Sequence, residues 1–399
     1  MSVALVYNLK AEALSHLSPL SNGSPVASSP PANVFEEPSL ELRQRHREKD
    51  LYAEWDTEET VHALRDAIAQ RYTVLMIEAN EQAYSKLLTL RPDFVFNIAE
   101  GLYGASREAQ VPAMLEMLQI PYLGSDPLTL GICLDKARAK EILSYHRIPT
   151  AGFTVIRSMA DLSSNGRDGE NGHFRFPAMV KPLHEGSSKG IYNSCVVRNP
   201  DELANEVSLI LATYNEPALV EDFLPGREFT VALLGNGDDV RVLPIIEIKF
   251  DALPPGVNPI YSYEAKWIWD QRDNPLDAYE CPARLDEPLR REITTICKDT
   301  YRVLGCRDWS RVDVRLDQHG RPNILEVNPL PGILPNPEDN SSFPKAARAA
   351  GMSYNELINT VLDIAMKRNG IMPITHTVNT AATQTEEESS LTIRGTYET

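Results

Sequence analysis

Trp309-Ser310-Arg311-Val312-Asp313-Val314-Arg315-Leu316 and, after a short turn, Asn323-Ile324-Leu325-Glu326-Val327-Asn328-Pro329 alternate apolar and polar residues with period two. That period marks two half-buried strands. Asp317-Gln318-His319-Gly320-Arg321-Pro322 supplies turn residues between them, so the pair reads as a hairpin. Val312, Val314 and Leu316 then share one face, and Arg311 and Asp313 the other. On the second strand Glu326 and Asn328 face away from Leu325 and Val327. Setting both apolar faces on one core brings Arg311, Asp313, Glu326 and Asn328 to a common surface. Two carboxylates and an amide oxygen there form a hard-oxygen set suited to Mg²⁺ with phosphates. The arginine beside them can hold an anion. The competing reading is a solvated polar face, and the rest of the chain decides between the two.

Two further segments carry chemistry. In Met179–Ile191 a lysine, Lys181, ends a strand, a loop of Gly and Ser residues follows, and a second strand begins. Backbone amides and hydroxyls of such a loop can wrap phosphate oxygens. It is not a P-loop, because no GxxxxGK[ST] occurs. In Glu221-Asp222-Phe223-Leu224-Pro225-Gly226-Arg227-Glu228 two carboxylates flank a turn between strands, where they can accept from an amine or from ribose hydroxyls. Taken alone, each reads more readily as a plain surface turn.

The 399 residues allow two or three domains, and 42% hydrophobic with 24% charged content is ordinary for a globular chain. A net charge of −17 argues against nucleic acid or an anionic membrane as the main partner. Cys133, Cys195, Cys281, Cys297 and Cys306 form no CxxC pair, which suits reduced thiols. Met1–Tyr7 lacks the basic start of a signal peptide, and no stretch reaches the roughly 18 apolar residues of a membrane helix. The expectation is a cytoplasmic enzyme.

Residues 3–7 read as a buried strand. From about 10 to 50 the pattern breaks into Ser/Pro-rich and then charged sequence, read as a disordered insertion. Thr57 is placed as a helix N-cap before Glu58, Glu59 and the periodic Val61, Leu64 and Ile68. Strands over 73–78 and 93–98, each after a helix, suggest a small parallel α/β domain. A helix over 136–146 follows, then strands over 153–156 and 177–182 flanking a polar loop over 161–175. Further strands are expected over 219–221, 228–234 and 241–248. Helices over 287–304 and 356–367 carry apolar stripes, and 371–399 reads as a disordered tail.

In order along the chain these segments resemble the ATP-grasp enzymes and, among them, the D-alanine–D-alanine ligase family. The pieces are Gly124-Ser125 with Leu134-Asp135-Lys136, the Val180–Gly190 loop, the Glu221–Phe229 hinge, Tyr263-Glu264-Ala265-Lys266, Cys281-Pro282-Ala283, Arg311-Val312-Asp313, Glu326-Val327-Asn328 with Pro331-Gly332, and Ala346–Ser353. The resemblance implies an α/β (α+β ATP-grasp) fold. An N-terminal Rossmann-like substrate domain would cover 1–135, with ATP-grasp subdomains over 136–225 and 226–370. It further implies that Lys136 and Lys181 contact ATP phosphates beneath a loop including Glu185, Gly186, Ser187 and Ser188. Glu221 would face the adenine amine and Glu228 the ribose, with Phe223 and Leu224 lining the adenine pocket. Lys266 would ride a loop closing over the γ-phosphate. Asp313, Glu326 and Asn328 would hold two Mg²⁺ ions (Mn²⁺ as a substitute). Arg311, Ser187 and the amide of Gly332 would complete the catalytic set. The implied reaction activates one small amino acid as an acyl phosphate and joins it to the amine of another, by default D-alanine to D-alanine for peptidoglycan. Homodimers are the implied assembly.

Departures from the family cluster in the amino-acid pocket. The Gly-Gly turn after the first strand is absent. Glu54-Trp55-Asp56-Thr57-Glu58-Glu59 stands in for the helix start, leaving Glu54, Asp56 and Glu58 as candidates for the substrate ammonium. A usual His-Gly is Glu100-Gly101, and Trp267 replaces a tyrosine whose hydroxyl bridges to Ser187. The segment Leu334–Pro344 is longer than its counterparts, with Ser341 and Ser342 as candidates for the second substrate's carboxylate. These changes keep two alternatives in view. One is a related ligase acting on another acceptor in natural-product pathways such as mycosporine-like amino acids. The other is a non-catalytic ATP-binding module, against which the intact Arg311, Asp313, Glu326 and Asn328 count. A hydride-transfer enzyme is disfavoured because no Gly-rich dinucleotide turn is present.

Overall fold

The computed structural model describes residues 1–10, 43, 52–165, 174–270 and 275–374, side chains at 163–165 excepted. The helices in chain order are α1 (Glu58–Ala69), α2 (Ala83–Leu90), α3 (Gln110–Leu118), α4 (Pro127–Leu134), α5 (Lys136–Tyr145), α6 (Met159–Asn165), α7 (Pro200–Tyr214), α8 (Glu287–Val303), α9 (Ser342–Ala349) and α10 (Tyr354–Arg368).

The first sheet is parallel, with β1 (Ser2–Tyr7) between β2 (Thr73–Glu78) and β3 (Phe94–Asn97). Its central strand is apolar on successive residues because both faces are covered. Val3 and Leu5 pack with α1 and α10, while Ala4 and Val6 pack with α2 and α3. Thr57 caps α1 as its sequence predicts, its Oγ1 accepting from the Thr60 amide at 3.3 Å.

The second sheet, β4 (Phe153–Ile156), β7 (Ala218–Asp222), β5 (Ala178–Pro182) and β6 (Val196–Val197) in that spatial order, is antiparallel and backed by α7. The third runs β11 (Tyr279–Glu280), β10 (Ile246–Ile248), β8 (Glu228–Leu234), β12 (Trp309–Leu316) and β13 (Pro322–Asn328), with β9 (Arg241–Val242) pairing β8. Ile293 and Cys297 of α8 and Leu143 of α5 fill its covered face with Phe229, Val231, Val312 and Val314. Segment 221–228 therefore crosses between two sheets, and its cleft lies where the sheets meet.

Several expectations are corrected. Strict alternation across 323–329 fails at a bulge: Asp313 pairs Glu326, but Val314 pairs Ile324, so Ile324 rather than Leu325 enters the core. Residues 161–165 belong to α6, not to a loop. No strand begins at Ile191; a 3-10 turn at Asn193–Cys195 precedes β6. The strand read over 241–248 is split, with Pro244, which has no N–H for a ladder, in the gap. Residues 371–374 dock on the first domain, where Tyr72 Oη accepts from the Ile374 amide at 3.0 Å; 375–399 lie outside the described residues. The insertion likewise lies outside them except at Lys10 and Arg43. Arg43 is buried, its Nη1 2.5 Å from Glu206 Oε1 and its guanidinium 4.6 Å from the Tyr192 ring centroid. All five cysteines are free thiols.

Candidate functional site

The β12–β13 register sets Arg311 opposite Asn328 and Asp313 opposite Glu326. Arg311 forks onto Asp313, Nε to Oδ1 at 3.1 Å and Nη2 to Oδ2 at 3.0 Å, with Glu326 Oε1 3.7 Å from Nη2. Asn328 Nδ2 donates to Asp313 Oδ2 at 3.3 Å. Burial and the Glu326 charge raise the Asp313 carboxyl against the pull of Arg311. Burial also opposes ionisation of Glu326, but Lys136, Arg311 and Lys181 overcome it and hold that carboxyl at about 2. Among the described residues no group of three or more His, Cys, Asp and Glu is placed to hold a metal. The hairpin offers two carboxylates and an amide, all hard-oxygen donors of the kind that Mg²⁺ takes alongside phosphate oxygens.

The lysines approach from the second sheet and α5. Lys136 opens α5 after the Asp135 cap and donates from Nζ to the Glu185 carbonyl at 2.6 Å. Lys181, next to last in β5, has Nζ 2.5 Å from Glu221 Oε2, and Lys140, which sequence reasoning missed, lies 2.7 Å from Oε1. Glu221, assigned to an adenine amine, is thus clamped between two buried ammonium groups. Burial resists its charge, yet the two lysines keep it below the ordinary carboxylate range. The loop after Lys181 turns through Ser187 and Ser188, both in the left-handed region at φ +52° and +60°.

Of the three N-terminal candidates the structure brings one to this loop. Glu54 Oε1 accepts from the Gly186 amide at 3.0 Å, and Oε2 lies 2.9 Å from Lys189 Nζ and 3.1 Å from Arg107 Nη2. Although burial opposes it, Lys189 and Arg107 hold the Glu54 carboxyl at about 2. A Cβ on Gly186 would stand 2.4 Å from Glu54 Oε1, so only glycine admits this contact. Asp56 is half-buried beside the first strand, its carboxyl pushed by burial to about 7, and Glu58 is exposed on α1. Glu100 is raised well above the usual range by burial and by Glu108, with Glu54 and Asp56 adding to it. Arg107 also donates to the His184 carbonyl at 3.1 Å, tying the N-terminal α/β part to the loop after Lys181. It was missed because nothing local in sequence marks a lone arginine ahead of a helix.

At the hinge, Glu228 Oε2 accepts from Arg315 Nη1 at 2.8 Å. The Arg315 guanidinium stands 5.1 Å and 4.9 Å from the ring centroids of Phe223 and Phe250. Leu224 is buried beside Phe223. Burial, with Asp313 and Glu326 nearby, raises the Glu228 carboxyl against Arg315. Lys266 lies in the π-helical turn Ala265–Trp269; burial and Arg311 depress its ammonium to about 8. Trp267, expected to lose the link to Ser187, restores one: its Nε1 donates to the Ser187 carbonyl at 3.1 Å. Ser341 Oγ bridges the Leu334 amide at 3.1 Å and the Gly332 carbonyl at 3.2 Å, closing the loop after the hairpin, while Ser342 begins α9.

The fold has solved counterparts. A D-alanine–D-alanine ligase structure from Bacillus anthracis described as complexed with ATP superposes with TM-score 0.58 at 22% identity, covering 93% of this chain and 99% of that one. The fold is therefore that of the ATP-grasp ligases. Residues 142–363 match the family model described as D-ala D-ala ligase C-terminus. The D-alanine–D-alanine ligase of Bordetella petrii is 33% identical over 73% of this chain and 81% of its own length. A Sinorhizobium fredii protein described only as uncharacterized y4sG is 38% identical over 70% and 77%. The chain belongs to the D-alanine–D-alanine ligase family.

Proposed function

We propose that the protein is an ATP-dependent ligase that joins two D-alanine molecules through an acyl phosphate. The observation that carries this is the β12–β13 face: Arg311 forks onto Asp313 with Glu326 Oε1 3.7 Å from its Nη2 and Asn328 donating to Asp313, and Lys136 and Lys181 are near enough to help hold the Glu326 carboxyl down. Lysines that would bind phosphate, from α5 and β5, thus stand with a metal-type carboxylate pair and an arginine that would hold an oxyanion, from β12 and β13. A non-catalytic nucleotide module has no use for the last of these. The named relatives favour D-alanine over another acceptor.

Lys136, Lys181 and the amides of 185–188 would hold the ATP phosphates. Asp313, Glu326 and Asn328 would hold Mg²⁺, which supplies charge neutralisation to the transferring phosphoryl group. Glu54 faces the loop as the counter-charge for a substrate ammonium. One carboxylate oxygen of the first D-alanine bonds to the γ-phosphorus as the bond to ADP breaks. The amine of the second then attacks the acyl carbon, loses a proton, and phosphate leaves. Arg311 and the Gly332 amide would hold the oxyanion in that step, while the Lys266–Trp267 segment excludes water. The reading includes a cytoplasmic homodimer; among the described residues no helix is long and apolar enough to cross a membrane. The test is ATP with D-alanine and Mg²⁺. Equal amounts of ADP and D-alanyl-D-alanine are expected, and ADP without dipeptide would refute the ligase reading.

A further inference from the structure

Three loops border the site, and one carboxylate joins them. Asp270 ends the segment carrying Lys266 and Trp267, its amide donating to the Ala265 carbonyl at 3.0 Å. Its Oδ2 accepts from Tyr261 Oη and from Asn340 Nδ2, each at 2.5 Å, and its Oδ1 accepts from the Leu276 amide at 3.0 Å. From Tyr261 the chain of contacts continues to the phosphate loop, because the Tyr261 carbonyl accepts from Ser188 Oγ at 3.0 Å. From Asn340 it continues to the acceptor side, where the adjacent Ser341 closes the loop on Gly332 and Leu334. Asp270, Tyr261, Leu276 and Asn340 all stand outside the three sheets, so these bonds join segments that no backbone ladder fixes.

Hydrogen bonds to a carboxylate are roughly twice as strong as neutral ones. A bond of that kind between lid and acceptor loop makes each one's ordered position depend on the other's, and the dependence is reciprocal. The chemistry gives this a use. An acyl phosphate formed beneath an open acceptor loop is exposed to water, so a lid that closes independently spends ATP without product.

We propose that Asp270 and Asn340 form a latch that ties closure of the Lys266–Trp267 lid to the seating of the Gly332–Ser341 loop. They are positioning residues: neither is assigned a contact with substrate. Asn340 stands in the extended 334–344 segment, which gives that extension a role. The consequence for turnover rests on the ligase reading, whereas the latch itself does not.

The test uses the full chain with Asn340→Ala, which leaves Tyr261 and Leu276 on Asp270. Amide hydrogen exchange over 261–270, with no substrate present, is expected to quicken by about tenfold; unchanged exchange overturns the latch. With ATP, Mg²⁺ and D-alanine, phosphate released per dipeptide is expected to rise from one to about three or more. A ratio that stays at one, with only a raised KM for D-alanine, overturns the coupling. Asn340→Asp keeps the size and sets carboxylate against carboxylate. Its ratio is expected to rise at least as far as that of Asn340→Ala. A ratio of one would reduce Asn340 to a structural contact and overturn the proposal. Should wild type fail to turn over D-alanine, the substrate reading fails, and hydrogen exchange still decides the latch.

Discussion

Glu221→Gln separates two roles for one carboxylate. Lys140 Nζ lies 2.7 Å from Oε1 and Lys181 Nζ 2.5 Å from Oε2, and Lys140, Lys181 and Glu221 are only 1%, 7% and 3% exposed. A glutamine of the same shape keeps one acceptor and turns an N–H donor toward the other lysine, leaving an ammonium buried without its counter-charge. Lys140 keeps Thr150 Oγ1 at 2.7 Å, so the loss falls chiefly on Lys181. Removing one partner of a buried pair costs about 3–5 kcal/mol. In thermal unfolding of a chain this long that is roughly 4–6 °C. The deficit should shrink at high pH, where the uncompensated ammonium releases its proton, and ATP should raise the variant's midpoint more than the wild type's by returning negative charge to Lys181. The assay is thermal unfolding with and without Mg-ATP. A midpoint within about 1 °C of wild type, together with a large fall in ATP affinity, would refute the clamp and leave Glu221 as a ligand to the base.

Three other expectations follow from the same geometry. Asp313→Asn and Glu326→Gln should each abolish dipeptide formation while circular dichroism stays native; wild-type turnover at saturating Mg²⁺ in either would sink the metal assignment. His184 is drawn up to about 9 by Asp135 and Glu216 against its burial, so its contribution to stability is complete below about 6.5 and lost as pH rises through about 9. His184→Asn should flatten stability over that window, and unfolding midpoints from pH 6 to 10 check it. Arg315→Met strips Glu228 of its cation beside Asp313 and Glu326, so the KM for ATP should rise by about tenfold with kcat within twofold; an unchanged KM would remove Arg315 and Glu228 from the nucleotide pocket.

What could be read from sequence divides along physical lines. Period-two alternation placed Arg311, Asp313, Glu326 and Asn328 on one face because side-chain facing in a strand is a local property. The bulge at Leu325 escaped because Ile324 and Leu325 are adjacent apolar residues, so either one could be taken as the core-facing residue. The apolar run Val3–Tyr7 marked a buried strand, and the alternation of strands with helices after it gave the parallel sheet. The partners of Glu221 and Glu54 were invisible for a different reason. Lys140, Lys181, Arg107 and Lys189 reach them across 40 to 135 positions of chain, and such pairings leave no periodic trace. Resemblance to the family named the lysines and the hairpin, but it could not choose among Glu54, Asp56 and Glu58. Of the three, the structure brings Glu54 to the 186–189 loop, where Gly186 leaves room for its carboxylate. The tyrosine-to-tryptophan change at 267 looked like a lost contact because only the hydroxyl was counted. The indole N–H reaches the Ser187 carbonyl of the same loop.

The acyl phosphate can be tested directly with D-alanine carrying ¹⁸O in its carboxylate. If that oxygen attacks the γ-phosphorus, the phosphate released during dipeptide formation carries ¹⁸O from the substrate, one label per turnover at full enrichment. Phosphate free of the label, released alongside authentic D-alanyl-D-alanine, would contradict it.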